Sequence, residues 1–195
     1  MTKTKLTKEI EQALVKRIAI GNLKSQYGAI EVPTGSWVGR GKENIDFATY
    51  SPRNQEISCF EIKVTKSDFN SNASLSFLGN KNYLVVPYDL GRYLADNWHD
   101  HEITDTWTHS KLALSGIGVL AYFPYNYDYI RENYQDELIR DQVLNDYSHV
   151  SNHFVTLIKC KRKEIHLAQR MSLIEGILRA GCRDAEKAYL DGKYL

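Results

Sequence analysis

Near the N-terminus apolar residues return every fourth position, with Ile10, Leu14 and Ile18 on one face. That spacing predicts a helix over Thr7 to Leu23, with Thr7 as N-cap and Gly21-Asn22 as a stop. Ala29 to Val32 is a short apolar stretch closed by Pro33, and the glycine-rich loop Gly35 to Gly41 follows. Two strand-like runs come next, Asn44 to Tyr50 and Glu56 to Thr65, separated by the turn residues Ser51-Pro52-Arg53-Asn54. In the second run Phe60, Ile62 and Val64 alternate with Glu61, Lys63 and Thr65, the two-residue period of a strand. Ser67 and Asp68 then read as caps of a helix reaching about Leu78.

Further on, Tyr83 to Val86 reads as a buried strand ended by Pro87, Leu90 to Trp98 as a helix, and Gly116 to Phe123 as another buried strand. Residues 124–152 are tyrosine-rich and acidic, without a clean period, and read as an insertion. Phe154 to Cys160 reads as a strand, with Arg162 to Ile165 as the far side of a hairpin. Met171 to Ala180 is an amphipathic helix ending at Gly181, with Ala185 to Leu190 as an extension. Alternating helices and strands of this kind predict an α/β fold, one domain over 1–195, with a central mixed sheet flanked by helices.

Composition adds limits. The chain has 195 residues, 43% hydrophobic and 25% charged, as in a globular domain with a proper core. No apolar run reaches the roughly 18 residues of a membrane helix, so no membrane partner is expected. The net charge of +1 gives no nucleic-acid signal by itself. Basic residues cluster locally, however, at Lys159, Lys161, Arg162 and Lys163 and at Arg40 and Lys42. Cys59, Cys160 and Cys182 lack C-x-x-C spacing and read as reduced thiols of a cytoplasmic protein.

The hairpin carries the chemistry. The midpoint between Asp46 and Glu61 falls at Arg53 and Asn54, inside the predicted turn. Residues equidistant from a turn face one another at roughly 4.5–5.5 Å between Cβ atoms. Glu61 and Lys63 share a strand face, because side chains alternate. Two facing carboxylates repel unless a cation lies between them. Mg²⁺ takes one or two carboxylates and keeps several waters, and such a centre hydrolyses phosphodiesters.

Ile45-Asp46, the following 14 residues and Glu61-Ile62-Lys63 resemble the D-x(n)-E-x-K signature of the PD-(D/E)XK nuclease superfamily. More narrowly, four segments resemble the MmcB-like group of DNA repair proteins: Phe60-Glu61-Ile62-Lys63-Val64, Ser67-Asp68-Phe69, Tyr83-Leu84-Val85-Val86-Pro87 and Gly116-Ile117-Gly118-Val119-Leu120. The resemblance covers roughly residues 7–123 and resumes from Val155 to about Gly181; the proline that often precedes the first acid is replaced by Ile45. It implies a restriction-endonuclease-like core of about four to six strands. It also implies metal ligation by Asp46 and Glu61, with Mg²⁺ as cofactor and Mn²⁺ as substitute, and a catalytic role for Lys63. A further acid from the first helix would be Glu11, with Glu31 as the alternative.

The expected function is therefore metal-dependent cleavage of DNA, in repair or restriction. Arg40, Lys42, Lys66 and Lys81 are the candidate phosphate contacts. A catalytically inactive DNA-binding or assembly module of the same fold is the alternative, and a homodimer is one option for the assembly. His99-Asp100-His101-Glu102 reads as a polar loop, because neighbours in sequence point apart. His149 and His153 would share a helical face but lack the H-E-x-x-H pattern. Trp37 and Trp107 are candidates for stacking on bases.

Overall fold

A computed structural model describes residues 3–20, 26–34, 44–70, 77–97 and 115–192. The elements, in chain order, are α1 (Lys5–Ile20), β1 (Tyr27–Pro33), β2 (Asn44–Ser51), β3 (Glu56–Ile62), α2 (Lys66–Phe69), β4 (Lys81–Pro87) and α3 (Tyr88–Asp96). They continue with β5 (Gly118–Tyr122), α4 (Tyr127–Asn133), α5 (Glu137–Ser148), β6 (Phe154–Ile158) and α6 (Leu167–Leu190). The fold is α/β, with one mixed six-stranded sheet in the order β1-β2-β3-β4-β5-β6 and helices packed against it. β1, β2 and β3 form an antiparallel meander, β3, β4 and β5 run parallel, and β6 returns antiparallel to β5.

The two-residue alternation sorts side chains to opposite faces. Phe47, Ile62, Val85 and Leu120 pack with Ile10 and Leu14 of α1, and Phe60 and Val64 lie against that cluster. Ala48, Ile57 and Cys59 pack instead with Leu173, Ile177 and Ala180 of α6. Leu84, Val86 and Val119 pack with Leu94 of α3 on that second face. Gly176 lets α6 lie close on β1: a Cβ there would stand 2.5 Å from the Pro33 carbonyl oxygen. The tyrosine-rich stretch folds as α4 and α5, whose Ile130 and Val143 join Tyr88, Phe123 and Val155 in a separate apolar cluster. No helix among the described residues is long and apolar enough to cross a membrane.

Several expected boundaries move for physical reasons. The hydroxyl of Thr4, not Thr7, accepts from the amide of Thr7, so α1 starts earlier. α2 ends at Phe69 with Asn70 as its C-cap, and Phe77 and Leu78 are not helical. Its cap is Thr65, whose side chain accepts from the Asp68 amide; residues 71–76 of the expected helix lie outside the described residues. Arg162 to Ile165 form no strand, because Lys163 is drawn to Asn80: its amide donates to the Asn80 carbonyl, and Asn80 Nδ2 donates to the Lys163 carbonyl. Gly181 does not stop α6. A Cβ there would meet nothing within 4 Å, so the glycine sits in open space inside one continuous 24-residue helix.

Candidate active site

The turn over residues 52–55 fixes the β2–β3 register, which pairs Phe47 with Phe60. One further step sets Asp46 across from Glu61, and their side chains lie within hydrogen-bonding reach of each other. In β1 the ladder pairs Ile30 with Phe47 and Val32 with Ile45, which places Glu31 at the level of Asp46. Both strands break their alternation here. Ala29 and Val32 share the α6 cluster, as do Ile45 and Ala48, while Phe47 and Ile30 pack toward α1. Glu31 adopts φ 49°, a left-handed conformation rare outside glycine. Irregular backbone of this kind re-aims side chains and concentrates at functional sites. From α6, Arg183 Nη2 donates to the Ile30 carbonyl at 3.0 Å and Nη1 to the Glu31 carbonyl at 3.5 Å, which holds the distorted segment.

Glu61 and Lys63 are 4% and 8% exposed, so they are not the polar face of a surface hairpin. Asp46 Oδ2 accepts from the Ile62 amide at 2.7 Å. Burial nonetheless pushes the Asp46 carboxyl above its ordinary 3.8, opposed by that amide and by the charges of Lys63 and Lys3. The backbone of Lys63 donates to the Val85 carbonyl at 2.9 Å, fixing the lysine just beyond β3. Its ammonium faces Asp68 Oδ1 at 3.4 Å, and Asp68 Oδ2 accepts from Val64 N at 3.2 Å. Asp68 thus positions Lys63, a role that its reading as a helix cap did not anticipate.

Glu11 is 8% exposed and lies on α1, and Lys3 connects it to Glu31. The Lys3 ammonium stands 2.5 Å from Glu11 Oε1 and 2.7 Å from Glu31 Oε1. Partial burial works against that charge, but the two acids hold Lys3 above its ordinary 10.5; in return Lys3 holds Glu31 below 4.5. Nothing in the sequence pattern pointed to Lys3. Its partner Glu11 lies eight residues along the chain and Glu31 in a different element.

The structure thus brings Asp46, Glu61 and Lys63 together and draws Glu11 and Glu31 onto one ammonium. Among the described residues no three His, Cys, Asp or Glu side chains converge as a metal-holding group. Two carboxylates side by side, Glu61 buried and Asp46 half-buried, still fit Mg²⁺, which needs one or two and fills its other positions with water. The lysine-bound Glu11 is not part of that pair. Lys66 is exposed beside this region, its ammonium 3.9 Å from the Tyr93 ring centroid. Lys81 pairs with Ser58 in register and with Glu56 by charge at 2.7 Å. Glu61 pairs with Leu84, so Lys81 lies three residues, about 10 Å, back along the strand, outside the site.

Arg40, Lys42, Trp37, Trp107 and the His99 to Glu102 run lie outside the described residues. His149 is the C-cap of α5, whereas His153 sits in a turn at φ 66° beside the Tyr122 ring, so they share no helical face. Cys59, Cys160 and Cys182 are free thiols.

No family model matches the chain, and no curated protein does either. Among solved structures the chain is similar to a protein of unknown function from Silicibacter pomeroyi, at 12% identity and a TM-score of 0.56, covering 98% of this chain and 96% of that one. At that identity the likeness speaks for the fold alone.

Proposed function

We propose that the protein is a metal-dependent nuclease that hydrolyses phosphodiesters in DNA at Asp46, Glu61 and Lys63. The observation that carries this reading is the pair of carboxylates, half-buried Asp46 and buried Glu61, meeting across β2 and β3 with the Lys63 ammonium on the same strand end. Two acids in contact and largely withdrawn from water are unfavourable without a shared proton or cation, so the arrangement favours divalent metal.

Asp46 and Glu61 would hold Mg²⁺ or Mn²⁺, which polarises the phosphoryl oxygen and acidifies a bound water. Asp46 is oriented for this by the Ile62 amide on its Oδ2. Lys63, steadied by Asp68, orients the attacking water and offsets charge on the phosphate. Lys66 lies exposed on the helix that follows and can contact a neighbouring phosphate. The three free thiols accord with a cytoplasmic location.

The test is incubation with plasmid, branched and single-stranded DNA in Mg²⁺ or Mn²⁺. Cleavage should need the metal and fall by roughly 10²–10³ in Asp46→Ala and Lys63→Ala. Unchanged cutting by these variants would remove the assignment. Salt-sensitive DNA binding with no cutting would instead support the non-catalytic module.

A further inference from the structure

A second site opens on the α1 side of the sheet, toward the turn end of the hairpin. A cavity of about 160 Å³ lies between α1 and the strands, lined among others by Arg17, Thr49, Ser58, Lys81, Tyr83 and Thr156. Thr49 and Ser58 face each other across β2 and β3, so their positions are set by the same register that aligns Asp46 with Glu61.

Arg17 is the anomaly. The side chain is half-buried, and its Nη1 is closed to solvent with no hydrogen-bond partner among the described residues. The guanidinium lies 5.6 Å from the Phe154 ring centroid, and burial lowers its pKa with the Tyr83 hydroxyl opposing; among the described residues no carboxylate acts on it. A guanidinium nitrogen withdrawn from water without a partner loses its hydration without compensation, and arginine is the side chain suited to carboxylate or phosphate. The cavity's acid, Glu56, does not supply that partner: it is taken by Lys81 at 2.7 Å and Arg162 at 3.5 Å. The lining therefore offers Arg17 with no acid of its own, Lys81 already paired with Glu56, and the side chains of Thr49, Ser58, Thr156 and Gln26, all of which can donate. A guanidinium without a carboxylate, set beside hydroxyls that can donate, suits an oxyanion. Its volume is below the roughly 300–1,000 Å³ of pockets that engulf drug-sized ligands, which favours a single tetrahedral group.

We propose that this cavity binds a phosphate group, held by the Arg17 guanidinium and the hydroxyls of Thr49, Ser58 and Thr156. The group is either free phosphate or the terminal phosphate of a nucleotide. The site is separate from the carboxylate pair, and the inference stands whether or not the protein cuts DNA.

The test is calorimetric titration of the full chain, in phosphate-free buffer, with inorganic phosphate, thymidine 5′-monophosphate and thymidine. Saturable binding of phosphate or the monophosphate, but not of thymidine, is expected. Tighter binding of the monophosphate identifies a nucleotide as the source, and equal or weaker binding identifies free phosphate. Arg17→Gln should weaken binding about tenfold or more. Without ligand it should melt no lower than wild type, since it removes a half-buried charge with an unpartnered nitrogen. Should Arg17→Gln not fold, Ser58→Ala carries the test by losing affinity while keeping its melting temperature. Absence of saturable binding, or undiminished binding in the variant that folds, overturns the proposal.

Discussion

Replacing Asp46 by Asn isolates the energetic consequence of gathering acids at this site. The folded protein holds the Asp46 proton more tightly than the unfolded chain, because burial raises the carboxyl above 3.8. Ionising Asp46 therefore penalises the fold. The penalty is absent below pH 3.8, grows as pH rises toward the folded-state pKa, and is fully present at neutral pH. Asn keeps an oxygen for the Ile62 amide, now 2.7 Å from Oδ2, so the substitution loses only the charge assistance of that bond, on the order of 1 kcal/mol. Against that loss it removes a buried charge that lies against Glu61. Each factor of ten in the proton's dissociation constant is worth about 1.4 kcal/mol. In EDTA at pH 7, Asp46→Asn should be as stable as wild type or slightly more so, by no more than roughly 1 kcal/mol, a rise of at most about 2–4 °C in melting temperature. The advantage should shrink steadily as the pH falls toward 4. Urea denaturation across pH 4–8 measures both effects. A variant less stable at pH 7, with a gap that narrows in acid, would mean that the ionised carboxylate is a structural partner, and the reasoning would be wrong.

Gly176→Ala should destabilise by about 1–3 kcal/mol in urea denaturation, because its Cβ would enter the Pro33 carbonyl under α6; a neutral result would contradict this close approach. Lys3→Ala should raise the Glu31 pKa, followed by NMR titration, and change stability by less than about 1 kcal/mol, since the side chains of Lys3 and Glu31 are partly exposed. The stability that Lys3 lends Glu31 is present above pH 4.5 and fades in acid, so the variant should show a weaker acid dependence. Asp68→Ala should lower turnover more than substrate affinity, because it frees the Lys63 ammonium and orphans the Val64 amide; equal loss in both would argue against a positioning role.

The hairpin was legible because it is local. Pro52 and its neighbours mark the turn, and the alternation of Phe60 and Ile62 with Glu61 and Lys63 sets the faces, so counting back from the turn found the mate of Glu61. The limits of this reading are equally physical. The count treats strands as regular, whereas β1 and β2 break their alternation at Glu31 and Asp46. It also gave Glu61 and Lys63 a polar face, whereas both are buried. Lys3, Arg183 and Asp68 act through contacts made only once the chain has folded, and Lys81 looked adjacent until the parallel β3–β4 register placed it at the far end. The short α2 shows a tertiary demand overriding a local signal: Asp68 turns its carboxylate back to Val64 and Lys63 while Thr65 caps the helix.

Crystals soaked in Mn²⁺ and measured at the manganese absorption edge put the central claim to its most direct test. The arrangement of Asp46 and Glu61 predicts an anomalous peak between their carboxylates, at about 2.0–2.2 Å from oxygens of each, that is lost in Asp46→Asn. Ordered carboxylates with no peak at saturating Mn²⁺, or a peak that survives in Asp46→Asn, would contradict a metal centre at this pair.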